Sequence, residues 1–279
     1  MSRFLSPLRY PGGKSKLIPS IELLIRNNDL IGSTYIEPFS GGASVALYLL
    51  FNDLVSDIYI NDIDRSIYAF WYSIVNYNEE LCNLIENAIL NIDEWNNQKS
   101  IQEHKDTSDL LSLGFSTFYL NRTNRSGIIK AGVMGGIDQT GNYKMDCRFN
   151  KVNLIKRIKR IGEYSSKINV TDLDTVDFLE TVYPNIDNRC FIYFDPPYYK
   201  KGSQLYVNFY NHDDHVDLSH SIKRLDDDYW IVTYDNEENI KEMYSEYRQD
   251  IYDLSYTVQT KYTGQEIIIY SDNFKHTLK

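Results

Sequence analysis

Apolar residues in this chain gather into short runs separated by polar turns, and the first long stretch sets the pattern. "TYIEPFSGGASVALYLLF", residues 34–51, reads as a strand through Ile36, a turn at Ser40, Gly41 and Gly42, and a helix that largely buries Val45, Leu47, Leu49 and Leu50. "DIYINDID" follows as a second strand ending at Asn61 and Asp62, and "RSIYAFWYSIV" as the next helix. Two strand–turn–helix units in succession predict a parallel, doubly wound sheet. Residues from about 66 to 165 differ in character, with helical patterns, the Gly-rich basic loop "NRTNRSGIIKAGVMGGIDQTGNYK" and no convincing pair of strands. They read as an insertion. Beyond them "KINVTDLDTVDFL", "CFIYFDPPYY", "YWIVTYDNEENIKEMY" and "GQEIIIYSD" restore the alternation and complete the sheet. The predicted fold is therefore α/β and Rossmann-like, built from residues 1–65 and 166–279, with a mainly helical insertion at 66–165.

Composition agrees with this size and class. The chain has 279 residues, 42% of them apolar, enough for one α/β domain carrying an inserted module. No run of about 18 apolar residues occurs, so no membrane span is expected. "MSRFLSPLRY" lacks the apolar stretch of a signal peptide, and the cytoplasm is the expected location. Cys82, Cys147 and Cys190 are too widely spaced for a disulfide framework or a zinc site and are expected as free thiols.

Net charge is −10, which alone argues against a nucleic-acid partner, but its distribution changes that picture. From Leu120 to Lys167 eleven cations face three acids, and residues 1–16 add four cations with no acid. Such segregation suits a basic binding face on an acidic body, although a solvated helix face at "KVNLIKRIKR" accounts for part of it equally well.

Two stretches carry candidate chemistry. "RYPGGKSK", residues 9–16, invites a phosphate-loop reading, but with Gly13, Lys14 and Ser15 as the final triplet the first glycine of that motif would fall on Leu8. An ATPase is thereby opposed. Locally, Pro11-Gly12-Gly13 reads as a turn before a helix, with Ser15 near its start. The second stretch is "FIYFDPPYY", residues 191–199: a buried strand with Asp195 at its C-terminal end, where open parallel sheets place ligands. Pro196 and Pro197 stop the ladder and hold the backbone extended. The rigid turn aims one Asp195 oxygen and the Pro196 carbonyl at a common point, which suits an exocyclic amino group with its two protons. Tyr198 offers an aromatic face for a flat base.

Those residues resemble motif IV of the amino-methylating DNA methyltransferases. "RYPGGKSKL", "YIEPFSGG", "IND" and "DPPY" stand in the order and spacing of the Dam-type adenine-N6 methylases, and "FYLNRTNRSG" resembles the start of that family's target-recognition segment. The resemblance covers nearly the whole chain. It implies a methyltransferase sheet, S-adenosylmethionine as methyl donor, double-stranded DNA as partner, and a flipped adenine as acceptor. It also makes residues 66–165 the target-recognition domain. By resemblance Tyr10, Lys14, Glu37, Phe39, Ser40, Gly41, Gly42, Asp62 and Asp195 belong to the cofactor pocket, with Asp62 on the ribose hydroxyls. Asp195, Pro196, Pro197 and Tyr198 form the catalytic motif. Asn121, Arg122, Asn124 and Arg125, with Lys156, Arg157, Lys159 and Arg160, are expected on the DNA face. A cognate restriction endonuclease is an implied partner, and a bacterial, phage or archaeal setting an implied context.

Alternatives remain at this level. Asp-Pro-Pro-Tyr suits the N4 amine of cytosine as well as the N6 amine of adenine, and a chain that binds DNA without catalysis would share the fold. After "NRTNRSG" the chain departs from the "LYR…G.FNVPFGRY" pattern of GATC-specific members, so the resemblance carries no recognition sequence. "NHDDHVDLSH" gathers three His and three Asp, but the reaction needs no metal, and Asp213 and Asp214 suit the first turn of a helix. No metal site is expected.

Overall fold

The structure, a computed structural model, describes residues 5–10, 14–200, 210–257 and 261–278. The expected turn at Pro11-Gly12-Gly13 lies outside them. Along the chain come α1 (Ile18–Asn27), β1 (Ser33–Glu37), α2 (Ser44–Phe51), β2 (Val55–Asn61), α3 (Arg65–Asn76), α4 (Asn78–Asn87), α5 (Ile92–Glu103) and α6 (Leu110–Thr123). Then follow α7 (Lys151–Gly162), β3 (Ile168–Thr171), α8 (Thr175–Thr181), β4 (Cys190–Phe194), α9 (His212–Lys223), β5 (Tyr229–Asp235), α10 (Glu238–Met243), β6 (Arg248–Thr257) and β7 (Lys261–Tyr270). The seven strands form one sheet in the order β3-β2-β1-β4-β5-β7-β6.

The sheet corrects the all-parallel expectation at one edge. β1 pairs in parallel with both β2 and β4, and β4 with β5, but β7 runs antiparallel to β5 and to β6. The cause is chain length: β6 ends at Thr257, opposite Lys261 at the start of β7. A three-residue connection closes a hairpin, whereas a parallel return needs a crossover of about a dozen residues. β6 itself has no counterpart in the sequence reading.

The chain divides into two compact units. One comprises Leu17–Ser40, Leu49–Asp64 and Leu173–Lys279. Its central strands β1 and β4 are buried at every position, as strands covered on both faces are. Side chains of a strand alternate between faces. Ile36, Ile192, Phe194, Val232, Ile267 and Ile269 lie in one apolar cluster with Phe178 of α8 and Ile222 of α9. The intervening positions carry Tyr35, Tyr193, Thr233 and Asp235, and it is this second set that forms the polar site below.

The other unit comprises Met1–Lys16, Gly41–Tyr48 and Arg65–Asp172. Its helices cross closely because small residues permit it: a Cβ on Gly114 of α6 would stand 2.6 Å from the Ala69 carbonyl oxygen of α3. Phe70 and Phe118 stack across that crossing with ring centroids 6.0 Å apart, and Phe149 meets Phe118 edge-on at 5.4 Å. Asn78 ties α4 to α7 by donating to the Ile158 carbonyl at 3.0 Å.

Candidate active site

In the sheet-bearing unit β1, β2, β4 and β5 run parallel, so Glu37, Asn61, Phe194 and Asp235 all end strands at the same edge of the sheet. Open α/β sheets present ligands at that edge. Asp195 is the first residue beyond β4. Its Oδ1 accepts a hydrogen bond from Thr233 Oγ1 of β5 at 2.8 Å. The Tyr193 hydroxyl lies 3.0 Å from the same Thr233 oxygen. Because Thr233 has a single hydroxyl proton and gives it to Asp195, Tyr193 is the donor in that pair. A relay of two hydroxyls thus fixes the rotamer of Asp195 from inside the sheet.

The Asp-Pro-Pro turn is held at its far end as well. Asp235 Oδ1 accepts from the Tyr199 backbone N–H at 2.8 Å, and its Oδ2 from that of Lys200 at 3.2 Å. Burial nevertheless raises the Asp235 pKa, the two N–H groups acting in the opposite direction. Thr233 and Asp235 lie two residues apart on one strand and therefore on one face, so β5 clamps both ends of the motif. Pro196 and Pro197 are buried.

Tyr198 is anchored from β7. It is 5% exposed, and its hydroxyl donates to Oε1 of Glu266, while the Tyr252 hydroxyl donates to Oε2 of the same carboxylate. Glu266 sits on β7, opposite Asp235 on one side and Tyr252 on the other, and is 0% exposed. Tyr198 is thus held at its phenolic tip.

The turn after β1 is organised by Asn61, which sequence reasoning passed over. Its Nδ2 donates to the Pro38 carbonyl at 3.0 Å and the Leu173 carbonyl at 2.9 Å, its Oδ1 accepts from Leu173 N–H at 3.0 Å, and its backbone carbonyl accepts from Ser40 N–H at 2.9 Å. Around this bracket Glu37 is buried and accepts from the Tyr35 hydroxyl at 3.1 Å. Phe39 is half-buried against the Tyr210 ring at 6.0 Å. Asp62 is half-exposed and its Oδ1 accepts from Asp64 N–H at 3.0 Å, a turn contact ahead of α3. Ser40 Oγ is buried with no hydrogen-bond partner among the described residues. A hydroxyl left so at a strand end fits a polar ligand group, and an acid beside it fits ribose hydroxyls; these residues suit S-adenosylmethionine.

The second unit holds the remaining cofactor candidates. A Cβ on Gly41, where φ is +44°, would stand 2.6 Å from Tyr10 Cε1, and one on Gly42 would stand 3.0 Å from Tyr10 Cβ. The glycine pair therefore admits the Tyr10 side chain, while Trp71 Nε1 donates to the Gly41 carbonyl at 2.9 Å. Lys14 is buried.

That unit also carries the residues expected on the DNA face. Asn121 is 2% exposed; its Nδ2 donates to the carbonyls of Arg9 and Gly127, and its Oδ1 accepts from Arg9 N–H at 2.8 Å. Asn124 is 0% exposed; its Oδ1 accepts from Trp95 Nε1 at 2.7 Å and its Nδ2 donates to the carbonyls of Ile128 and Ile129. Both amides are thus hydrogen-bonded inside the fold. Arg122 is buried as well, donating through Nη2 to the Pro7 carbonyl. Arg125, Lys156 and Lys159 are exposed, and Arg157 and Arg160 half-buried. On α7 the buried residues Leu154, Ile158 and Ile161 define the inner stripe, which leaves Lys156 and Lys159 outward.

"NHDDHVDLSH" builds the start of α9. Asn211 and Asp214 form a reciprocal capping box, with Asp213 in the same first turn. Among the described residues no group of three or more His, Cys, Asp or Glu is arranged to hold a metal ion.

With this geometry in hand, similarity to known proteins adds chemical identity. The family model described as D12 class N6 adenine-specific DNA methyltransferase matches residues 10–260. The type II methyltransferase M.MjaIII of Methanocaldococcus jannaschii is 28% identical over 239 residues, 78% of this chain and 79% of that protein. Modification methylase StsI of Streptococcus sanguinis is 29% identical over 210 residues, covering 69% of this chain but 28% of its own length. This chain thus spans only part of StsI. The family match resolves the choice of amine that motif IV left open, in favour of adenine N6 over cytosine N4. A sheet edge carrying Asp-Pro-Pro-Tyr and a match over most of the chain lead to one conclusion: this protein belongs to the D12 class of N6 adenine-specific DNA methyltransferases, enzymes that take their methyl group from S-adenosylmethionine.

Proposed function

We propose that Asp195 is the catalytic residue that orients the adenine amine, and that Thr233, Tyr193 and Asp235 position it. The observation that carries this reading is the hydroxyl relay from Tyr193 through Thr233 to Asp195 Oδ1. The N6 lone pair of adenine is delocalised into the ring. A carboxylate that accepts an N6 proton, together with the Pro196 carbonyl, turns that pair toward the methyl carbon. Positioning is the main task of the protein, because the sulfonium of S-adenosylmethionine supplies an already activated methyl group. N6 is reached only when the base leaves the duplex, as in other enzymes that act on bases. Tyr198, fixed through Glu266, forms one wall of the adenine site.

Glu37, Phe39, Ser40 and Asp62 hold the cofactor from the ends of β1 and β2, Asp62 on the ribose hydroxyls. Tyr10, Lys14, Gly41 and Gly42 are the other cofactor residues. Arg125, Lys156, Lys159 and Arg160 contact duplex DNA. We assign the enzyme to a cytoplasmic setting with a cognate restriction endonuclease as partner.

The test is single-turnover transfer of labelled methyl groups to duplex DNA by Asp195→Ala, run beside a DNA-binding assay and a thermal melt. Removing one positioned electrostatic group costs about a hundred- to a thousandfold in rate. A folded, DNA-binding variant that methylates at near wild-type rate removes Asp195 from the catalytic role.

A further inference from the structure

Two arginines of the helical unit, Arg122 and Arg157, reach residues 6–9, where a third, Arg9, stands, and among the described residues no carboxylate is ion-paired with them. Arg122 Nη2 donates to the Pro7 carbonyl, and Arg157 Nη1 to the Ser6 carbonyl at 3.3 Å. Arg9 is gripped through both its backbone groups by Asn121. The turn at Arg125–Gly127 closes over it: a Cβ on Gly127, where φ is +77°, would stand 2.3 Å from the Arg9 carbonyl oxygen and 2.8 Å from Arg9 Cβ. Arg148 is exposed, and its charge acts on both Arg9 and Arg122.

Two of these guanidinium groups carry buried nitrogens that bond to nothing among the described residues, Nη1 of Arg9 and Nε of Arg122. No ion pair joins any of the four to an acid among the described residues, and the sequence has no acid in residues 1–16. Burial, followed by the charges of Arg157, Arg9 and Arg148, pulls Arg122 down to about 9. Burial and then Arg148 lower Arg9 likewise. A fold that merely needed donors for the Ser6 and Pro7 carbonyls could use neutral side chains. Holding like charges together with their donors unfilled is costly unless an anion arrives.

We infer that Arg9, Arg122, Arg148 and Arg157 form a phosphate-binding site that grips the DNA backbone. Planar guanidinium forks suit phosphate oxygens. Arg148, exposed, and the half-buried Arg9 and Arg157 give the backbone access, while Arg122 supplies charge from beneath. This site rests on the reading that the helical unit carries the DNA face, and it adds Arg9 and Arg148 to that face. It differs from the exposed lysines of α7 in that Arg9, Arg122 and Arg157 are already held in place by hydrogen bonds within the unit.

The experiment compares wild type, Arg9→Gln/Arg148→Gln and Lys156→Gln/Lys159→Gln in duplex binding across a salt series. Thermal melts are taken in inorganic phosphate and in chloride of equal ionic strength. The arginine pair should flatten the log–log salt slope by roughly 0.9 for each phosphate that is no longer neutralised, and equally on cognate and unrelated duplexes. Wild type should melt higher in phosphate than in chloride, and the arginine variant should lose that difference without melting lower in chloride. An unchanged slope overturns the site, and so does a fall in melting temperature in chloride with no loss of the phosphate effect, which would make the arginines structural. If only the lysine pair changes the slope, the DNA face stands and this site falls. If neither pair does, the DNA-face reading itself fails.

Discussion

Thr233 Oγ1 donates to Asp195 Oδ1 at 2.8 Å, so a residue on β5 determines how the acid after β4 is aimed. Thr233→Val keeps the branched shape and removes the hydroxyl, leaving Asp195 less directed and Tyr193 without its acceptor. A hydrogen bond to a charged group is worth about 1.5–3 kcal/mol, so the methyl-transfer rate should fall by roughly ten- to a hundredfold. The loss should appear in the single-turnover rate and leave S-adenosylmethionine affinity near wild type. Equal weakening of cofactor binding would mean that Thr233 acts on the fold at large.

Glu266 offers a second test of positioning. Its buried carboxylate accepts the hydroxyls of Tyr198 and Tyr252, one on each oxygen. Glu266→Ala strands both phenols, and each unsatisfied buried group costs about 1–3 kcal/mol, which chemical denaturation will detect. Tyr198→Phe removes one donor, keeps the ring and should be milder. If the adenine wall depends on that anchor, Tyr198→Phe raises KM for DNA more than it lowers kcat; a change in kcat alone would point to chemistry instead.

Cofactor binding can be examined separately from catalysis. Asp62→Ala and Lys14→Ala should each raise the dissociation constant for S-adenosylmethionine about tenfold or more, the scale of a charge-assisted hydrogen bond. Ser40→Ala removes the buried hydroxyl that has no partner among the described residues. It should weaken binding while leaving stability in the absence of cofactor unchanged or improved. Calorimetric titration gives all three, and wild-type affinity throughout would dismiss the assignment.

How much of this was legible in the sequence depends on whether a residue acts locally or across the sheet. The run ending in Asp195 and the turn at Ser40-Gly41-Gly42 were readable because strand, breaker and polar residue are consecutive. Thr233, Asp235 and Glu266 were not, because their importance arises from register: Asp235 faces Glu266, and Glu266 faces Tyr252, only after β7 enters between β5 and β6. The one local trace is an acid heading the apolar run "EIIIY". Asn121 and Asn124 show the converse. Their motif was visible, but short amides also bond to nearby backbone, and here that use buries them. Arg9 and Arg148 lie far apart in sequence, so their shared surroundings needed the fold.

His215 ties the stability of the sheet-bearing unit to pH. It is 1% exposed, its Nδ1 lies 2.9 Å from the Tyr234 hydroxyl, and its ring packs against Tyr199, Tyr210 and Tyr234 at 5.2–5.4 Å. Burial, partly opposed by Asp214 and reinforced by His212, lowers its pKa from 6.5 to about 4. Between those values the unfolded chain binds a proton that the native state refuses, so stability must fall as the solution is acidified. The contribution is fully present above pH 6.5 and is lost as pH drops through 4, with an upper scale of about 3 kcal/mol from the size of the shift. His215→Gln retains a polar partner for Tyr234 but cannot titrate. Urea unfolding at intervals from pH 7.5 to 4 should show the wild type losing stability more steeply than the variant, with the difference confined to the range below 6.5. Parallel curves would show that protonation of His215 is not coupled to folding, and would assign acid sensitivity to the carboxylates instead.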